Sequence, residues 1–366
     1  MREPDNSILE EMLEPIDTAS IVGHKPLPGN FNDHHLVTLV SGKSYVIRIS
    51  KKGWTQSDAA IGKFLREGFV AGLIGDALGV ATPRMHLIDG SLQLCERTYA
   101  IQDAVTQGIV LKEAIRDANE EGKRSLLRAY GEMASRVHQI MIPPFELYDD
   151  AAVFRHKPLM VRCEQTNVCE LMQDFDGVHI AGRDNSWLRF HKALLHYGEY
   201  LNKNVKSLKT DISRGLQECV NNGVVTEGVA RRLAAIIHKE DEVIEVEMAR
   251  HHLCHGDYHY GNILVDCHDD LGWQVTGLLD FEIAFFGSPI QEFMKAEQLS
   301  FGQEGISGFR SEILKGYGPS IDQHAYDVLF LCVLLTSEWG HKKMKAIFAE
   351  GSDVVFDESL SFLKLW

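Results

Sequence analysis

The pattern of apolar and polar positions changes character along the chain, and each change marks a part of it. Between residues 31 and 49, Leu36, Val37, Leu39 and Val40 lead into Ser41-Gly42-Lys43-Ser44, and Tyr45, Val46, Ile47 and Ile49 lead out. Two runs rich in β-branched and aromatic residues around a short glycine-bearing connection predict a β-hairpin. The preceding Pro26-Leu27-Pro28-Gly29-Asn30-Phe31-Asn32 is rich in turn formers. From about Asp58 to Leu78, Ile61, Phe64, Leu65, Phe69, Leu73 and Ile74 recur mostly at spacings of three and four, which predicts a helix. Gly79 and Pro83 end it. Two more strands, Arg84–Ile88 and Leu92–Asp103, are expected around Asp89-Gly90, the second broken near Glu96-Arg97.

After Gly108 the period becomes helical. Leu126, Tyr130, Met133, Val137 and Ile140 form one buried stripe. Residues 141–185 read as a long loop with short elements, and Trp187 to about Ala249 as mostly helix, with a stripe through Leu201, Val205, Leu208, Ile212, Leu216 and Val220. Short strands are expected at Asn262–Val265 and Val275–Leu279, then helices to Trp366. A sheet-rich first part and a helix-rich second part give an α+β fold of two lobes, 1–103 and 104–366, with the boundary near Asp103–Gly108.

Composition changes this picture little. With 45% hydrophobic and 24% charged residues, the chain can bury a sizeable core. The 37 Lys and Arg against 52 Asp and Glu give a net charge of −15, which argues against a nucleic-acid partner, since such binding rests on neutralising phosphates. The same charge is compatible with a cationic small molecule. Seven cysteines, Cys95, Cys163, Cys169, Cys219, Cys254, Cys267 and Cys332, never form a C-x-x-C pair, which fits reduced thiols better than a disulfide framework or zinc site. Met1-Arg2-Glu3-Pro4-Asp5-Asn6 does not open a secretory signal, and no stretch approaches the roughly 20 apolar residues of a membrane span. A cytoplasmic protein without a membrane partner is the expectation.

The candidate chemistry lies in His255-Gly256-Asp257-Tyr258-His259-Tyr260-Gly261-Asn262. Phosphoryl transfer needs a base at the attacking hydroxyl, oxygen ligands for Mg²⁺, and cations or backbone N–H groups on the phosphates. Asp257 can accept the hydroxyl proton, while the Asn262 carboxamide offers a hard oxygen to the metal. A second acidic ligand is expected at the end of a nearby strand, and Asp280 follows the apolar Gly277-Leu278-Leu279.

His-Gly-Asp-x-x-x-x-Asn followed by an apolar strand and Asp280-Phe281-Glu282 resembles the aminoglycoside phosphotransferase and choline kinase superfamily, whose members have the protein-kinase-like fold. The step of 23 residues from Asp257 to Asp280 is similar to that family's spacing. The resemblance implies Asp257 as catalytic base, Asn262 and Asp280 as Mg²⁺ ligands, and ATP or GTP as donor. It implies a structural role for His255, and for His259 either a structural role or a contact to a phosphate or a metal-bound water.

Weaker matches come earlier, in the right order. Gly29 and Asn30 stand where the family covers the phosphates, although G-x-G-x-x-G is absent. Tyr45-Val46-Ile47-Arg48-Ile49 looks like the family's apolar-x-Lys/Arg strand, which implies Arg48 on the phosphates with Glu67 of the next helix as its partner. The passage 98–108 resembles the hinge that binds the base, with Gln102 flanking it and Asp103 and Val105 supplying backbone groups. His138 is expected as a buried hydrogen-bonding residue. Beyond Asp280 the family's Gly-Asp-Pro is here Gly287-Ser288-Pro289, with Glu292 in the place of the following acid.

In that superfamily the region matching 141–250, with the C-terminal helices, forms the acceptor site. Asp149, Asp150, Asp174, Asp176 and Glu338 are acidic candidates for a cationic acceptor, and Trp187, Tyr197, Tyr200 and Trp339 aromatic ones. An aminoglycoside, an amino alcohol and another small metabolite all remain open. A protein kinase is disfavoured by Gly256, where Arg is usual, and by the lack of Ala-Pro-Glu after Asp280. An inactive nucleotide-binding scaffold is disfavoured by the presence of Asp257, Asn262 and Asp280 together.

Overall fold

The structure, a computed structural model, describes residues 4–29, 32–51, 57–90, 92, 94–140, 160–162, 205–250, 252–268, 270, 272–293, 309–319 and 321–349. They fall into two compact units. The first holds the described residues of Met1–Arg116, Pro143–Leu194 and Gly261–Ala284, and the second those of Asp117–Ile142, Leu195–Tyr260 and Phe285–Trp366. The architecture is α+β, with an antiparallel N-terminal sheet and a helical C-terminal part.

In the first unit the strands are β1 (Ile21–Leu27), β2 (Asn32–Leu39), β3 (Ser44–Ser50), β4 (Met85–Asp89), β5 (Tyr99–Asp103), β6 (Ile109–Val110), β7 (Met160–Arg162), β9 (Ile263–His268) and β10 (Gly272–Leu278); β8 (His252–Cys254) and β11 (Phe285–Gly287) belong to the second. Six strands form one sheet in the order β1-β2-β3-β5-β4-β7, antiparallel except for β4 with β7. The expected hairpin is β2–β3, with Gly42 at φ +83° in its turn. The second of the two later strands starts only at Tyr99.

Two elements near the N-terminus had no periodic signal. Helix Asn6–Leu13 is short, and β1 carries Gly23 and Pro26 at the sheet edge, where a strand tolerates proline. Leu9, Met12 and Leu13 of that helix pack on Val37, Leu39, Tyr45, Ile47, Ile49, Tyr99 and Ile101. These strand residues alternate along β2, β3 and β5, so the residues between them face the other way. Cross-strand pairing then sets His34, Arg48 and Ala100 in one row and Leu36, Val46 and Gln102 in the next.

Helix Ser57–Leu78 runs as expected and ends at Gly79, φ +67°. β10, β9 and β6 form a second sheet, and Ala81 bridges to it, donating to Thr276 O at 2.9 Å and accepting from Leu278 N at 3.0 Å. That bridge ties the end of β10, and the residues after it, to the connection that follows the helix.

In the second unit the stripe Leu126, Tyr130, Met133 and Val137 is buried in helix Glu120–His138, which Asn119 caps by accepting from Gly122 N at 2.8 Å. This helix packs on Phe309–Tyr317. Helix Gln323–Thr336 is apolar almost all round and lies against Val205–Asn221, Asp241–Met248 and Glu338–Ala349. β8 pairs with β11, two strands too short to show a period. Among the described residues no helix is long and apolar enough to cross a membrane.

Candidate active site

Arg48 lies on the strand face opposite Ile47 and Ile49, yet it is only 4% exposed. Its NH1 donates to Oε1 of Glu67, itself fully buried, its NH2 stands 3.6 Å from Glu282 Oε2, and Phe64 packs under the guanidinium with its centroid 5.5 Å away. Burial opposes the charge on Arg48, but Glu67, Asp280 and Glu282 outweigh it and hold the guanidinium protonated. Burial pushes the Glu67 carboxyl up to about 7, against the pull of Arg48 and with help from Asp280 and Glu282. The expected partnership of Arg48 with Glu67 is thus present as a buried ion pair, with Glu282 as a neighbour. Lys63 Nζ reaches Glu282 at 3.9 Å, and Arg66 NH1 donates to the Glu282 carbonyl at 2.7 Å.

Asp280 follows β10 with φ +64°, a conformation that Asp and Asn adopt more readily than most residues. Pairing of Ile263 with Leu278 extends outward, so that Leu279 N donates to the Asn262 carbonyl at 2.9 Å. Asn262 therefore stands one residue along from Asp280 across the ladder. Ligand oxygens of Glu67, Asp280 and Glu282 lie within 4.8 Å of one another. Oδ1 of Asp280 is buried and has no hydrogen-bond partner among the described residues. A hard divalent cation fits such oxygen donors, because it replaces the missing partner and offsets the crowded charge.

His34, directly across β2 from Arg48, carried no signal of its own in the sequence. Counting back from the Ser41–Gly42 turn would have found it. Its Nε2 is buried without a partner among the described residues. Burial, reinforced by Arg48, lowers its pKa to about 4, against Asp280, a hydrogen bond to the Pro28 backbone and Asp33. A Cβ at Gly29 would stand 2.9 Å from His34 Nδ1 and press on the Asn32 carbonyl, so the turn needs glycine there. Lys51 Nζ donates to the Gly29 carbonyl at 2.6 Å. Asn30 lies outside the described residues.

Gln102 is buried, and its Oε1 lacks a partner among the described residues. The Asp103 N–H donates to the Arg84 carbonyl at 2.9 Å, and its carboxylate meets His86 Nε2 at 2.6 Å. That N–H is therefore occupied, and half-buried Val105 follows it.

In the second unit the loop bearing Asp257 is held on several sides. Glu292 accepts from His255 N and, at 2.9 Å, from Gly256 N, whose φ is +81°. His138 Nε2 stands 3.5 Å from the same carboxylate, while its Nδ1 meets the Tyr317 hydroxyl at 2.9 Å; burial lowers the His138 pKa. Tyr130 donates its hydroxyl to the Tyr258 carbonyl at 2.6 Å, and Tyr258 returns the bond to the Tyr130 carbonyl at 2.8 Å. His255 Nδ1 accepts from Asp257 N at 3.3 Å, and His259 Nε2 lies 3.5 Å from Asp257 Oδ2. Glu292 and Tyr130 were not legible as loop anchors, because each acts through a contact distant in sequence. Ser288, where the resembling family has an acid, donates to Glu247 Oε2 at 2.8 Å.

Of the acceptor candidates, Asp149, Asp150, Asp174, Asp176, Trp187, Tyr197, Tyr200 and the Trp339 side chain lie outside the described residues. Glu338 is exposed and paired with Lys342 at 2.8 Å.

The model of the phosphotransferase enzyme family, APH, matches residues 24–329. Among solved structures, the chain is similar to a Ralstonia eutropha protein provisionally assigned as an aminoglycoside phosphotransferase, at 13% identity and a TM-score of 0.50, covering 98% of this chain and 94% of that one. It is also similar to APH(2″)-IIIa in its GDP and kanamycin complex, at 15% identity and a TM-score of 0.50, covering 99% and 97%. A search of curated proteins finds no match.

Proposed function

The chain belongs to the phosphotransferase enzyme family, and from that premise we propose that it transfers the γ-phosphate of ATP or GTP to a hydroxyl of a small molecule. The observation that carries this reading is that Glu67 Oε2, Asp280 Oδ1, His34 Nε2 and Gln102 Oε1, four of the buried polar atoms without hydrogen-bond partners among the described residues, belong to residues on or beside the strand face of Arg48. Buried polar groups are nearly always paired, so a cluster of orphans around a buried Arg48 argues for a polar, charged ligand.

Arg48, oriented by Glu67, binds phosphate oxygens, and the Pro28–Gly29 turn covers them. Gln102, Asp103 and Val105 border the base. Asn262 and Asp280 would hold Mg²⁺, which when bound would offset charge on the phosphates. Asp257 takes the proton from the acceptor hydroxyl. Its loop is fixed through Glu292 and Tyr130, which supports the reading because a general base must sit within hydrogen-bond reach of its proton. The net charge of −15 favours a cationic acceptor such as an aminoglycoside or amino alcohol.

The test is Mg²⁺-dependent release of nucleoside diphosphate with aminoglycosides, amino alcohols, sugars and amino acids, for the wild type and Asp257→Asn. We expect turnover on one acceptor class and a loss of roughly 10²-fold or more in kcat for the variant. Equal rates in the two proteins would remove Asp257 from the reaction.

A further inference from the structure

We propose that His34 is a phosphate-binding residue of the donor site, its Nδ1 edge docking the Pro28–Gly29 turn and its Nε2 edge donating to an oxygen of the nucleotide's phosphate chain. The inference rests on the donor reading above and adds to it a residue that the strand pattern did not single out.

Three observations carry it. Pairing of β2 with β3 sets His34 directly beside Arg48, on the face away from helix Asn6–Leu13. One edge of the ring is committed to the turn: the Pro28 backbone takes a hydrogen bond from it, and Gly29 approaches Nδ1 so closely that a Cβ would collide. The other edge, Nε2, is buried and has no partner among the described residues. An imidazole fixed at one nitrogen, with the other left open beside a phosphate-binding arginine, is placed to join the turn to the phosphates.

The charged groups acting on the ring are Arg48 from β3, Asp280 after β10 and Asp33 on its own strand. In the free protein burial and Arg48 keep the ring neutral, and Nδ1 carries its proton. Donation from Nε2 therefore requires a second proton, taken up from solvent as the polyanion arrives. The sign follows: because binding takes up that proton, the contribution of His34 to affinity is greatest at low pH and falls as pH rises.

The test is calorimetric titration with adenosine, AMP, ADP and ATP in Mg²⁺, in two buffers of different ionisation enthalpy, for the wild type, His34→Asn and His34→Gln. Asn can keep the bond to Pro28 but cannot reach the Nε2 position. Gln places an amide near that position and cannot be protonated. We expect His34→Asn to weaken ADP and ATP by roughly 10- to 100-fold, the range of a hydrogen bond to a charged group, and to leave adenosine unchanged. His34→Gln should keep most of the affinity and lose the proton uptake seen in the wild type. Equal losses for adenosine and ATP would overturn the proposal in favour of a packing role, as would wild-type affinity in His34→Asn. If His34→Asn does not fold, undiminished proton uptake in His34→Gln overturns it just as well. A wild type that binds neither these four ligands nor GTP, and for which Arg48→Ala changes nothing, would instead bring down the donor reading itself.

Discussion

The loop that carries Asp257 and the strand face that carries Arg48 hold their charged groups in opposite ways. Around the loop, hydrogen bonds tie the backbone to side chains. Glu292 takes two backbone N–H groups, Tyr130 and Tyr258 exchange hydroxyl-to-carbonyl bonds, and His255 accepts from Asp257 N. On the strand face, three carboxylates crowd within 4.8 Å, Glu67 is pushed up to about 7, and buried atoms of Asp280, Glu67, His34 and Gln102 go without partners among the described residues. Under the proposed reading Asp257 is a base, which must be held still, and these bonds fix its backbone. Under the same reading the strand face binds nucleotide, and its unpaired polar groups are completed by what it binds.

That contrast can be broken by substitution. The largest effect should come from the loop side. Glu292→Ala leaves one buried and one part-buried N–H group without a charged acceptor, and should cost roughly 3–5 kcal/mol of stability, read as a shift in the urea midpoint at constant slope. A change below about 1 kcal/mol would mean that the loop does not depend on it. A smaller effect of opposite sign is expected on the other side. Asp280→Asn removes one of three crowded charges while keeping a residue that accepts φ +64°. The empty variant should be more stable than the wild type by about 1 kcal/mol, in line with the trade between binding sites and stability. A variant less stable by that amount would make Asp280 a structural residue.

The parts of this picture that were legible in the sequence are those with a period. Strands β2 and β3, helix Ser57–Leu78 and the Leu126–Val137 stripe follow from alternation or from spacings of three and four, since each buries one face. Helix Asn6–Leu13 is too short, and β1 too broken by Gly23 and Pro26, for a period to show. Strands β8 and β11, of three residues each, are set only by what they pack against. In the candidate site, Asp257, Asn262 and Asp280 stood out because they lie close in sequence in a recognisable order. Arg48 and Glu67 were legible only together with that order: alternation tells which face Arg48 points from, but not that the face is covered. Glu282 and His34 escaped because their importance depends on register and on neighbours from other strands. Glu292 was noticed as a departure from a motif, while its hold on the loop backbone depends on a contact 36–37 residues away.

The measurement that bears most directly on the division between a binding face and a catalytic loop is a pair of readings on three proteins. Calorimetric binding of nucleotide with and without Mg²⁺, and turnover with an active acceptor, are compared for the wild type, Asp257→Asn and Asp280→Asn. The expected result is a double dissociation: Asp257→Asn binds nucleotide within a few-fold of the wild type but turns over roughly 10²-fold more slowly, and Asp280→Asn loses the Mg²⁺-dependent part of binding. Loss of nucleotide binding in Asp257→Asn, or Mg²⁺-dependent binding undiminished in Asp280→Asn, would contradict it.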